Sequence, residues 1–576
     1  MTVIATAGHV DHGKSSLVAA LTGTDPDRWA EEKARGLTID LGFATMGLPS
    51  GREVSFIDVP GHIRFLRNML AGVGAVDACL FVVDAAEGWK PQSEEHLRIL
   101  ALLGLDRGVI ALTKIDTGDD DLRELAELDV DEHVEGTFLA RAPVVGVSSV
   151  TGEGLDDLVA ALDTVLDGAT RPASVGDARL WIDRSFAPAG AGTVVTGTVL
   201  NGPIAVGDEL HTVPGDRTVR VRTLQSHHRG VDRIGPGNRA ALNLSGVAHH
   251  DLARGDVLVA PGAWHLTRSV DAELSVLTTL PRPVGRRGAY AAYVGSAELQ
   301  ARLRVIGGDE IGPGEVAPVR LWFDRPMPLR PGDRYILRES GRDVTVGGGQ
   351  ILDVDPVLPL GRAAPDRSVR RVVAERGWVD VDQLRLLTGE ETPPTVDRWV
   401  VDDEVLAVTV ARVGGLIAAA GPLGLDIAAL DERERAVIDR VPLVRLDAGR
   451  ATIGEPVDPL VDHPWLAALE AAPFTPPGPD GVDRAEVRAL VRRGRVVERD
   501  GVFFAATAVD DAARRLARVL TARPDGVTVA EVRDLLGTTR KYALALLSHL
   551  DGTGITRRRD DLRIAGPRMP DGSEQG

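Results

Sequence analysis

The sequence predicts a multidomain chain, in which an α/β domain precedes two antiparallel β-barrels and a tandem series of winged helices with mixed α+β structure. Three observations predict this order. Buried-strand and helical patterns alternate over residues 1–172. Short β-branched runs separated by Gly, Pro and Asp fill residues 173–360. From residue 361 onward, helical stretches are followed by paired strand-like stretches, which is typical of winged helices.

The composition excludes several classes of protein. The 576 residues include 66 Lys+Arg against 84 Asp+Glu, a net charge of −18, which argues against a nucleic-acid coat or a polybasic membrane binder. A single cysteine, Cys79, excludes a disulfide framework and any multi-cysteine metal centre. No signal peptide or long apolar run is present. We therefore expect a cytoplasmic monomer without membrane association.

The first 172 residues predict a parallel sheet covered by helices on both faces, because apolar strands alternate with helical patterns. The predicted strands are Thr2–Ala7, Val54–Pro60, Ala78–Ala85, Gly108–Asp116 and Ala142–Ser149, and the predicted helices include Ser15–Leu21, Pro91–Leu103 and Leu155–Leu166.

The rest of the chain divides further. A break at Pro261-Gly262 separates predicted barrels at 173–262 and 263–360. We assign winged-helix repeats to 361–509 and a last winged helix to 510–576. Three such units are predicted, each as helices followed by wing strands, and a fourth is expected near residues 422–475. The three sequences are VDQLRLL (381–387) with AVTVARVGGLIAA (407–419), RAEVRALVRRGRVVERDGVFFAA (484–506) and the stretch 528–565.

The string GHVDHGKS, from Gly8 to Ser15, matches the pattern G-x-x-x-x-G-K-S between a predicted strand and a predicted helix. Its glycines let backbone N–H groups face a phosphate, and the helix N-terminus favours an anion. Lys14 is expected to reach the β- and γ-phosphates, and the Ser15 hydroxyl to bind Mg²⁺. The sequence therefore predicts a nucleoside triphosphate site.

Two further motifs indicate that the nucleotide is GTP or GDP. Asp58 in DVPGH follows a strand, where it can hold Mg²⁺ through water. In TKID, Asp116 can accept hydrogen bonds from the guanine ring N–H and amino group, whereas adenine offers the wrong pattern. Such a site rejects an analogue by roughly 10⁴–10⁵. Backbone N–H groups of Ser148-Ser149 are expected to complete the base pocket.

The strings AGHVDHGKS, RGLTID (35–40) and DVPGH (58–62) resemble the translational GTPases. The resemblance implies that Thr38 closes over Mg²⁺ and the γ-phosphate, and that His62 is the catalytic residue that positions the attacking water. No arginine finger is identifiable, so we expect slow intrinsic hydrolysis that the ribosome activates. The predicted metal ligands are Ser15, Thr38 and Asp58. The predicted nucleotide contacts are Gly8, His9, Val10, Asp11, His12, Gly13, Lys14, Ser15, Ser16, Asp58, Gly61, Thr113, Lys114, Asp116 and Ser148.

Residues 186–210 resemble the second domain of elongation factor Tu, but two features depart from that factor. TKID replaces the usual NKxD, and about 200 residues follow the barrels. Both departures, with VGGGQILD (346–353) and RKYALALLSHLDGTGITRRRDD (540–561), resemble the selenocysteine-specific elongation factors. This resemblance implies selenocysteinyl-tRNA, an mRNA hairpin and the ribosome as partners, with delivery at recoded UGA codons.

A selenocysteine pocket is predicted in the first barrel. Arg184 and Arg239 are expected to meet at the aminoacyl end of the tRNA, with Asp183 orienting one of them. A selenol is ionised at neutral pH, and each hydrogen bond to a charged group contributes roughly 1.5–3 kcal/mol. Two such bonds would discriminate against serine by about 10²–10⁴. Ordinary barrel-surface charges are the alternative interpretation.

Paired histidines in the barrels suggest a metal site, but the sequence argues against one. His249-His250 and His227-His228 would point to opposite faces of a strand, and no cysteine or suitably spaced carboxylate lies near them or His211. We expect these to be exposed barrel histidines.

An RNA-binding surface is predicted near the C-terminus. Between Gly537 and Arg563 six basic and three acidic residues give +3, against −18 for the whole chain. Arg540 and Lys541 are placed at the start of a recognition-type helix, and Arg557, Arg558 and Arg559 on the wing. Two basic edges of this kind are typical of phosphate binding, and the family resemblance makes the target an mRNA hairpin. A solvated charged face is the alternative.

Two other functions are open at this stage. One is a general aminoacyl-tRNA carrier or an initiation-type GTPase, against which the C-terminal winged helices argue. The other is a GTP-switched regulator whose winged helices bind DNA, against which the barrels argue.

The base-pocket assignment can be tested at Asp116. We expect Asp116→Asn to move nucleotide preference away from GTP, because the carboxylate that accepts from guanine becomes an amide. Equilibrium nucleotide binding measures the effect, and an unchanged GTP affinity would count against the assignment.

Overall fold

A computed structural model of the chain describes residues 2–26, 41–59, 76–117, 120–167, 176–190, 192–226, 229–342, 344–421, 424–454 and 460–570. The chain forms two compact units, residues 1–402 and 403–576. No helix in the described ranges is long and apolar enough to cross a membrane.

The first domain is a six-stranded sheet in the order β2-β3-β1-β4-β5-β6, with helices beside it. Only the β2–β3 pair is antiparallel, and the other neighbours are parallel. The central strands are buried on both faces, which explains their nearly continuous apolar sequence. The elements are β1 (Thr2–Ala7), α1 (Lys14–Thr22), β2 (Gly42–Gly47), β3 (Glu53–Asp58), β4 (Ala78–Asp84), α2 (Pro91–Leu102), β5 (Gly108–Thr113), α3 (Asp120–Val134), β6 (Val144–Val147) and α4 (Leu155–Val165).

The second domain is a closed barrel in the order β10-β15-β7-β8-β14-β11, since β10 also pairs with β11. Its inward positions alternate along the strands, as in β8 and β14. The strands are β7 (Ala178–Phe186), β8 (Thr193–Asn201), β9 (Ile204–Ala205), β10 (Glu209–Val213), β11 (Thr218–Ser226), β12 (Arg229–Val231), β13 (Arg233–Ile234), β14 (Arg239–Ser245) and β15 (Val257–Val259).

The third domain is a second closed barrel, in the order β16-β21-β19-β18-β22-β23. On the face opposite its core, the Arg320 guanidinium donates to both oxygens of buried Asp271, at 2.6 and 2.8 Å, so the charges are paired. The strands are β16 (Leu266–Val276), β17 (Val284–Gly285), β18 (Tyr290–Val294), β19 (Ala297–Val305), β20 (Glu310–Ile311), β21 (Val316–Pro328), β22 (Arg334–Glu339) and β23 (Val344–Asp353).

A buried arginine joins the two barrels. Arg179 on β7 donates to both carboxylate oxygens of Asp333, at 2.6 and 2.7 Å, and its guanidinium lies 4.6 Å from the centre of the Trp264 ring. The second barrel also contacts the first domain, because Tyr293 and Ile336 share a core with α2 and the sheet. These contacts make the first three domains one packed body.

A first winged helix packs on the second barrel and completes the first unit. Its helices contribute apolar side chains such as Val372 and Leu384 to the barrel core. Arg371 donates to Asp353 of β23 at 2.8 Å, and Arg385 donates to Asp177 at 2.7 Å. The elements are α5 (Val369–Arg376), β24 (Trp378–Asp380), α6 (Val381–Thr388) and β25 (Trp399–Val401).

The prediction that residues 407–419 form wing strands is wrong, because they belong to one long helix, α7 (Asp403–Ala419). The β-branched run VTV favoured a strand from its sequence. Burial decides otherwise: Thr409, Val413 and Ile417 are buried at four-residue intervals, which is the helical period. Two acidic residues in the first turn also stabilise the helix start.

The second unit contains three helix-and-wing modules among its described residues. The wings predicted within the units 484–506 and 528–565 form as pairs of antiparallel strands. In the region expected near 422–475, a three-stranded sheet packs on α7. The elements are α7, β26 (Leu425–Asp426), α8 (Glu432–Ala436), β27 (Val444–Asp447), β28 (Arg450–Ile453), α9 (Pro464–Ala471), α10 (Arg484–Arg492), β29 (Val496–Arg499), β30 (Val502–Ala505), α11 (Ala506–Ala522), β31 (Val527–Thr528), α12 (Val529–Leu536), α13 (Arg540–Thr553), β32 (Thr556–Arg559) and β33 (Leu562–Ala565).

The predicted domain boundaries stay predictions, with one revision. A boundary between 509 and 510 would fall inside α11, which begins at Ala506. This helix shares a core with Phe474 and Phe504 of the preceding module. We therefore propose that the last module begins at Ala506.

Candidate functional site

The phosphate loop lies between β1 and α1, at the carboxyl edge of the sheet. Gly8 has φ +123°, and a Cβ atom there would lie 2.1 Å from the carbonyl oxygen of Val82 on β4. Gly13, with φ +82°, adopts the left-handed conformation just before the helix. Glycine is therefore required at Gly8 for close packing on the sheet and favoured at Gly13 by its φ.

The interior of this loop is held by two side chains that sequence analysis assigned to the nucleotide. The Lys14 ammonium is buried and donates to the carbonyls of Gly8 and His9, at 3.2 and 2.6 Å. The hydroxyl of Thr113, at the end of β5, is also buried and donates to the His12 carbonyl at 2.8 Å. Thr113 thus connects the TKID motif to the loop.

Three oxygen-bearing side chains meet beside the loop. Ser15 donates from Oγ to Oδ2 of Asp58 at 2.6 Å, and Thr6 donates from Oγ1 to Oδ1 of the same carboxylate at 2.8 Å. The Thr6 hydroxyl in turn accepts from the N–H of Val59 at 3.0 Å. Hydroxyl and carboxylate oxygens are the ligands that Mg²⁺ prefers, so this donor set fits that ion.

The base side of the site is organised by a lysine. Lys114 has φ 60°, and its ammonium lies 2.7 Å from Asp84 and donates to the Asp11 carbonyl at 2.9 Å. Burial opposes the charge of Asp84, but the hydrogen bonds from Lys114 and two backbone N–H groups hold its pKa below the usual value. Asp116 lies two residues further on, with its side chain exposed. Lys114 therefore links the base motif to the phosphate loop.

Ser148 makes its hydrogen bonds within its own loop. Its backbone N–H donates to the Glu153 carbonyl at 2.9 Å, so this group is already engaged within the loop. Its buried hydroxyl accepts from the N–H groups of Val150 and Thr151, at 3.2 and 3.1 Å. Ser148 thus shapes the loop, and the base contact predicted for Ser148-Ser149 stays a prediction.

Two buried histidines lie at the loop, His12 within it and His96 beside it, and no sequence motif indicated the role of His96. His96 on α2 accepts from the Gly8 N–H through Nδ1 at 3.1 Å. Burial and the nearby charge of Lys14 lower the pKa of His96 to about 3, so the ring is a neutral acceptor at pH 7. Burial lowers the pKa of His12 to about 4. No short motif contains His96, and only the fold brings it to the loop.

The other predicted nucleotide contacts divide into two groups. Within the loop, His9 and Val10 are half-buried, whereas Asp11 and Ser16 are exposed. The Val10 N–H donates to the Gln92 side chain at 3.4 Å. Thr38, Gly61 and His62 lie outside the described residues.

The predicted aminoacyl-binding residues meet in the first barrel. The Arg239 guanidinium pairs with buried Asp183, and its Nη2 donates to Asp183 Oδ1 at 2.9 Å. Although burial opposes the charge, Arg239 holds the pKa of Asp183 below its usual value. Arg184 donates to the Leu41 carbonyl at 2.8 Å, and Phe43 lies 3.7 Å from the Arg239 guanidinium.

These side chains border one cleft of about 240 Å³, which Arg184, Arg239, Thr196 and Phe43 help to line. A bulge creates this arrangement: β7 pairs Ile182 with Gly197 but Arg184 with Thr196, so Asp183 has no partner in the ladder. Bulges are common beside functional sites because they redirect side chains. Two arginines against one aspartate leave the cleft with an excess of positive charge.

The barrel histidines differ in one respect from expectation. His249 and His250 are exposed but lie in a 3₁₀ turn rather than on a strand, and their rings contact each other at 5.5 Å between centroids. His211 is half-buried, with Nδ1 3.2 Å from Asp216. His227 and His228 lie outside the described residues.

The predicted RNA-binding residues occupy two edges of the last module. Arg540 and Lys541 open α13, and both are exposed. Arg557, Arg558 and Arg559 form most of β32 and are exposed as well. Helix and strand belong to the same winged helix, as predicted.

The order of these domains, with a phosphate loop at the edge of the first, defines a translation factor that carries a GTPase domain. Residues 1–167 match the family model of the elongation factor Tu GTP binding domain, and residues 192–259 match elongation factor Tu domain 2. Residues 271–357 match the β-barrel domain of selenocysteine-specific elongation factors, and residues 519–565 match the winged helix of elongation factor SelB.

The chain belongs to the selenocysteine-specific elongation factors. It is 32% identical to the selenocysteine-specific elongation factor of Desulfomicrobium baculatum, over 97% of this chain and 99% of that protein. It is 37% identical to the Escherichia coli factor of the same name, over 67% of this chain and 64% of that one. A GTPase domain in this family implies that the chain binds and hydrolyses GTP.

Solved structures show the same fold. The crystal structure of a bacterial selenocysteine-specific elongation factor superimposes with a TM-score of 0.69 and 24% identity, over 98% of this chain and all of that one. Elongation factor SelB of Methanococcus maripaludis, in complex with the GTP analogue GppNHp, gives a TM-score of 0.53 at 24% identity, over 62% and 80%.

The contact between His96 and the loop predicts a binding defect. We expect His96→Leu to weaken the binding of GTP and of GDP alike, by about 5- to 100-fold. The substitution leaves the buried Gly8 N–H without an acceptor, at a cost of about 1–3 kcal/mol. Equilibrium titration with both nucleotides measures this. His96→Gln retains an acceptor and serves as the rescue, and His265→Leu in the second barrel is the control. A normal GDP affinity in His96→Leu would refute the role.

Proposed function

We propose that the chain carries selenocysteinyl-tRNA in its GTP-bound state and delivers it to the ribosome at recoded UGA codons. The first domain binds GTP, the first barrel recognises the aminoacyl group, and the last winged helix binds an mRNA hairpin. GTP hydrolysis, which the ribosome activates, releases the tRNA. The observation that carries the proposal is the cleft in which Arg184 and Arg239 lie beside the buried carboxylate of Asp183.

The nucleotide is held in this proposal by the loop N–H groups, by Lys14 and, at the guanine, by Asp116. The neighbouring oxygens of Ser15 and Asp58 support a Mg²⁺ site. In this family Thr38 closes over the ion and His62 orients the attacking water. Mg²⁺ supplies neutralisation of phosphate charge when it is bound. Lys14, which donates to loop carbonyls, turns toward the phosphates on binding.

Selectivity for selenocysteine follows from charge. The carboxylate of Asp183 fixes Arg239 from one side, and a second arginine lies at the same cleft. An ionised selenol gains charge-assisted hydrogen bonds there, whereas the serine hydroxyl stays neutral. Arg184 exchanges its bond to the Leu41 carbonyl for one to the selenolate.

Hairpin binding is assigned to the helix and wing of the last module. Exposed Arg540 and Lys541 supply one positive edge, and the arginines of β32 supply the other. Along a strand, side chains alternate between faces, so Arg557 and Arg559 face one side together. Such contacts bind phosphates, while unpaired loop bases provide sequence selection.

The competing functions are separated by one binding assay. A general carrier would bind seryl-tRNA as well as selenocysteinyl-tRNA, and a DNA-binding regulator would retain a DNA duplex. Filter binding of the GTP-loaded full chain to all three nucleic acids distinguishes these cases. Retention of selenocysteinyl-tRNA alone supports the proposal.

The selenocysteine pocket predicts an unequal loss on substitution. We expect Arg184→Ala to weaken the binding of selenocysteinyl-tRNA by about 10- to 100-fold, because one hydrogen bond to a charged group is lost. The affinity for seryl-tRNA should fall less, since the serine hydroxyl is neutral. Arg217→Ala, which removes an exposed arginine paired with Asp251, is the matched control. Equal losses for the two tRNAs in Arg184→Ala would reject the pocket.

The hairpin surface predicts a separable defect. We expect Arg557→Gln combined with Arg559→Gln to weaken hairpin binding by about tenfold or more and to leave GTP hydrolysis unchanged. The probe is the hairpin that follows an in-frame UGA codon in the same genome, measured by filter binding. Arg523→Gln in the same module, an arginine already paired with Glu531, is the control. Full hairpin affinity in the double variant would contradict the assignment.

A further inference from the structure

Two histidines of the phosphate loop lie beside a glutamate that follows β4. The rings of His9 and His12 are 4.9 Å apart between centroids, and Nε2 of His12 lies 3.9 Å from Oε2 of Glu87. One ring nitrogen of each histidine and one carboxylate oxygen of Glu87 all lie within 4.8 Å of one another. Two imidazoles and a carboxylate therefore converge beside the loop, and the proposed function gives these three side chains no role.

The ring of His12 is oriented as in a metal ligand. Its Nδ1 lies 3.4 Å from the carbonyl oxygen of Val82, and a carbonyl only accepts, so this contact places the ring proton on Nδ1. The lone pair of the ring is then on Nε2, the nitrogen nearest to Glu87. Histidines that bind metals almost always donate their other N–H to a carboxylate, a backbone carbonyl or water.

The same nitrogen of His12 lacks a hydrogen-bond partner. The residue is fully buried, and within the part of the chain that the structure describes nothing bonds to its Nε2. A buried polar atom without a partner costs about 1–3 kcal/mol, and such atoms are rare in folded proteins. Burial lowers the pKa of His12 to about 4, so the ring is neutral at pH 7 and Nε2 keeps its lone pair. A metal ion at this position would satisfy it.

The other two ligands can reach the same ion with small movements. The half-buried His9 ring accepts from the Asp11 N–H through Nδ1 at 3.4 Å, a long hydrogen bond that a metal ion can replace. Glu87 is exposed, and the Lys90 ammonium lies 3.4 Å from its Oε2. Tetrahedral zinc, with bonds of about 2.0–2.2 Å, brings its ligands to about 3.3–3.6 Å from one another. The Glu87 carboxylate therefore needs to approach His12 only slightly.

The donor set selects the class of ion. Two imidazole nitrogens and one carboxylate oxygen suit Zn²⁺ and similar divalent first-row ions, with water at the open position. Mg²⁺ prefers oxygen ligands, which the neighbouring Ser15 and Asp58 supply. The charged groups that act on the two rings are of both signs, namely Asp11, Asp84, Glu87, Lys14 and Lys90. Coordination bonds, and not a general electric field, must therefore select the ion.

We propose that His9, His12 and Glu87 form a binding site for Zn²⁺ or a similar divalent transition-metal ion, separate from the Mg²⁺ site. The bound ion connects the phosphate loop to the segment between β4 and α2. This site goes beyond the proposed function, because it needs neither tRNA nor mRNA.

The test uses the full chain, freed of nucleotide and metal with a chelator and then kept in excess Mg²⁺. Calorimetric titration measures Zn²⁺ affinity and stoichiometry, and Co²⁺ serves as a visible-absorption probe of the ligands. We expect one tight site per chain and a Co²⁺ spectrum typical of a low coordination number with imidazole ligands. Glu87→Gln should weaken Zn²⁺ binding by about 10- to 100-fold or more, since losing even a group that only orients a ligand costs that much.

Two further variants guard the interpretation. Glu124→Gln makes the same change at an exposed residue of α3, and it should alter Zn²⁺ affinity by less than about twofold. His9→Gln removes one imidazole and should weaken Zn²⁺ binding as Glu87→Gln does. Zn²⁺ should raise the melting temperature of the unsubstituted chain but not that of Glu87→Gln, because a ligand stabilises the fold that binds it. Melting temperatures without Zn²⁺ show whether each variant is folded.

Three outcomes overturn the site. Equal Zn²⁺ affinity in the unsubstituted chain, Glu87→Gln and His9→Gln rejects these ligands. Displacement of Zn²⁺ by excess Mg²⁺ would place the ion at Ser15 and Asp58 instead. The absence of any tight Zn²⁺ binding would mean that water alone satisfies Nε2 of His12. Because no tRNA, hairpin or GTP hydrolysis enters the measurement, failure of the proposed function leaves this result intact.

Discussion

No side chain fits at residue 8, and this steric constraint fixes the phosphate loop against the centre of the first sheet. A Cβ atom there would overlap the Val82 carbonyl at 2.1 Å, so the backbone of the loop rests directly on β4. The rest of the site is built around that contact. His96 accepts from the N–H of the same glycine, and Thr113 holds the other side of the loop through the His12 carbonyl. The nucleotide site is therefore a rigid part of the sheet and not an appended loop.

Much of this arrangement could be predicted because it is local. The pattern from Gly8 to Ser15 lies directly between its own predicted strand and helix, and the structure has both elements with the loop between them. Short β-branched runs separated by Gly, Pro and Asp likewise predicted both barrels, and the burial of β8 and β14 in the first barrel shows the period of two that such strands have. Features whose physical cause lies in the same short stretch of sequence were therefore predictable.

Features that depend on contacts between residues far apart in the sequence could not be predicted. His96 is 88 positions from its partner Gly8, and nothing in its own surroundings marks it. The bulge at Asp183 appears only when β7 and β8 are paired. Residues 407–419 contain a strand-like run, but their packing surface has the helical period, and the tertiary contacts of Thr409, Val413 and Ile417 decide the outcome.

The contact of β2 with the arginine cleft has a thermodynamic consequence. The Leu41 carbonyl accepts from Arg184, and the Phe43 ring lies over Arg239, so the start of this strand contacts both cationic groups. Leu41 follows Thr38 by three residues in the sequence. Under the proposed role of Thr38 at the nucleotide, any ligand in the cleft that displaces the strand start is linked to that nucleotide. Reciprocity of linkage then requires that cargo and nucleotide alter each other's dissociation constants by the same factor.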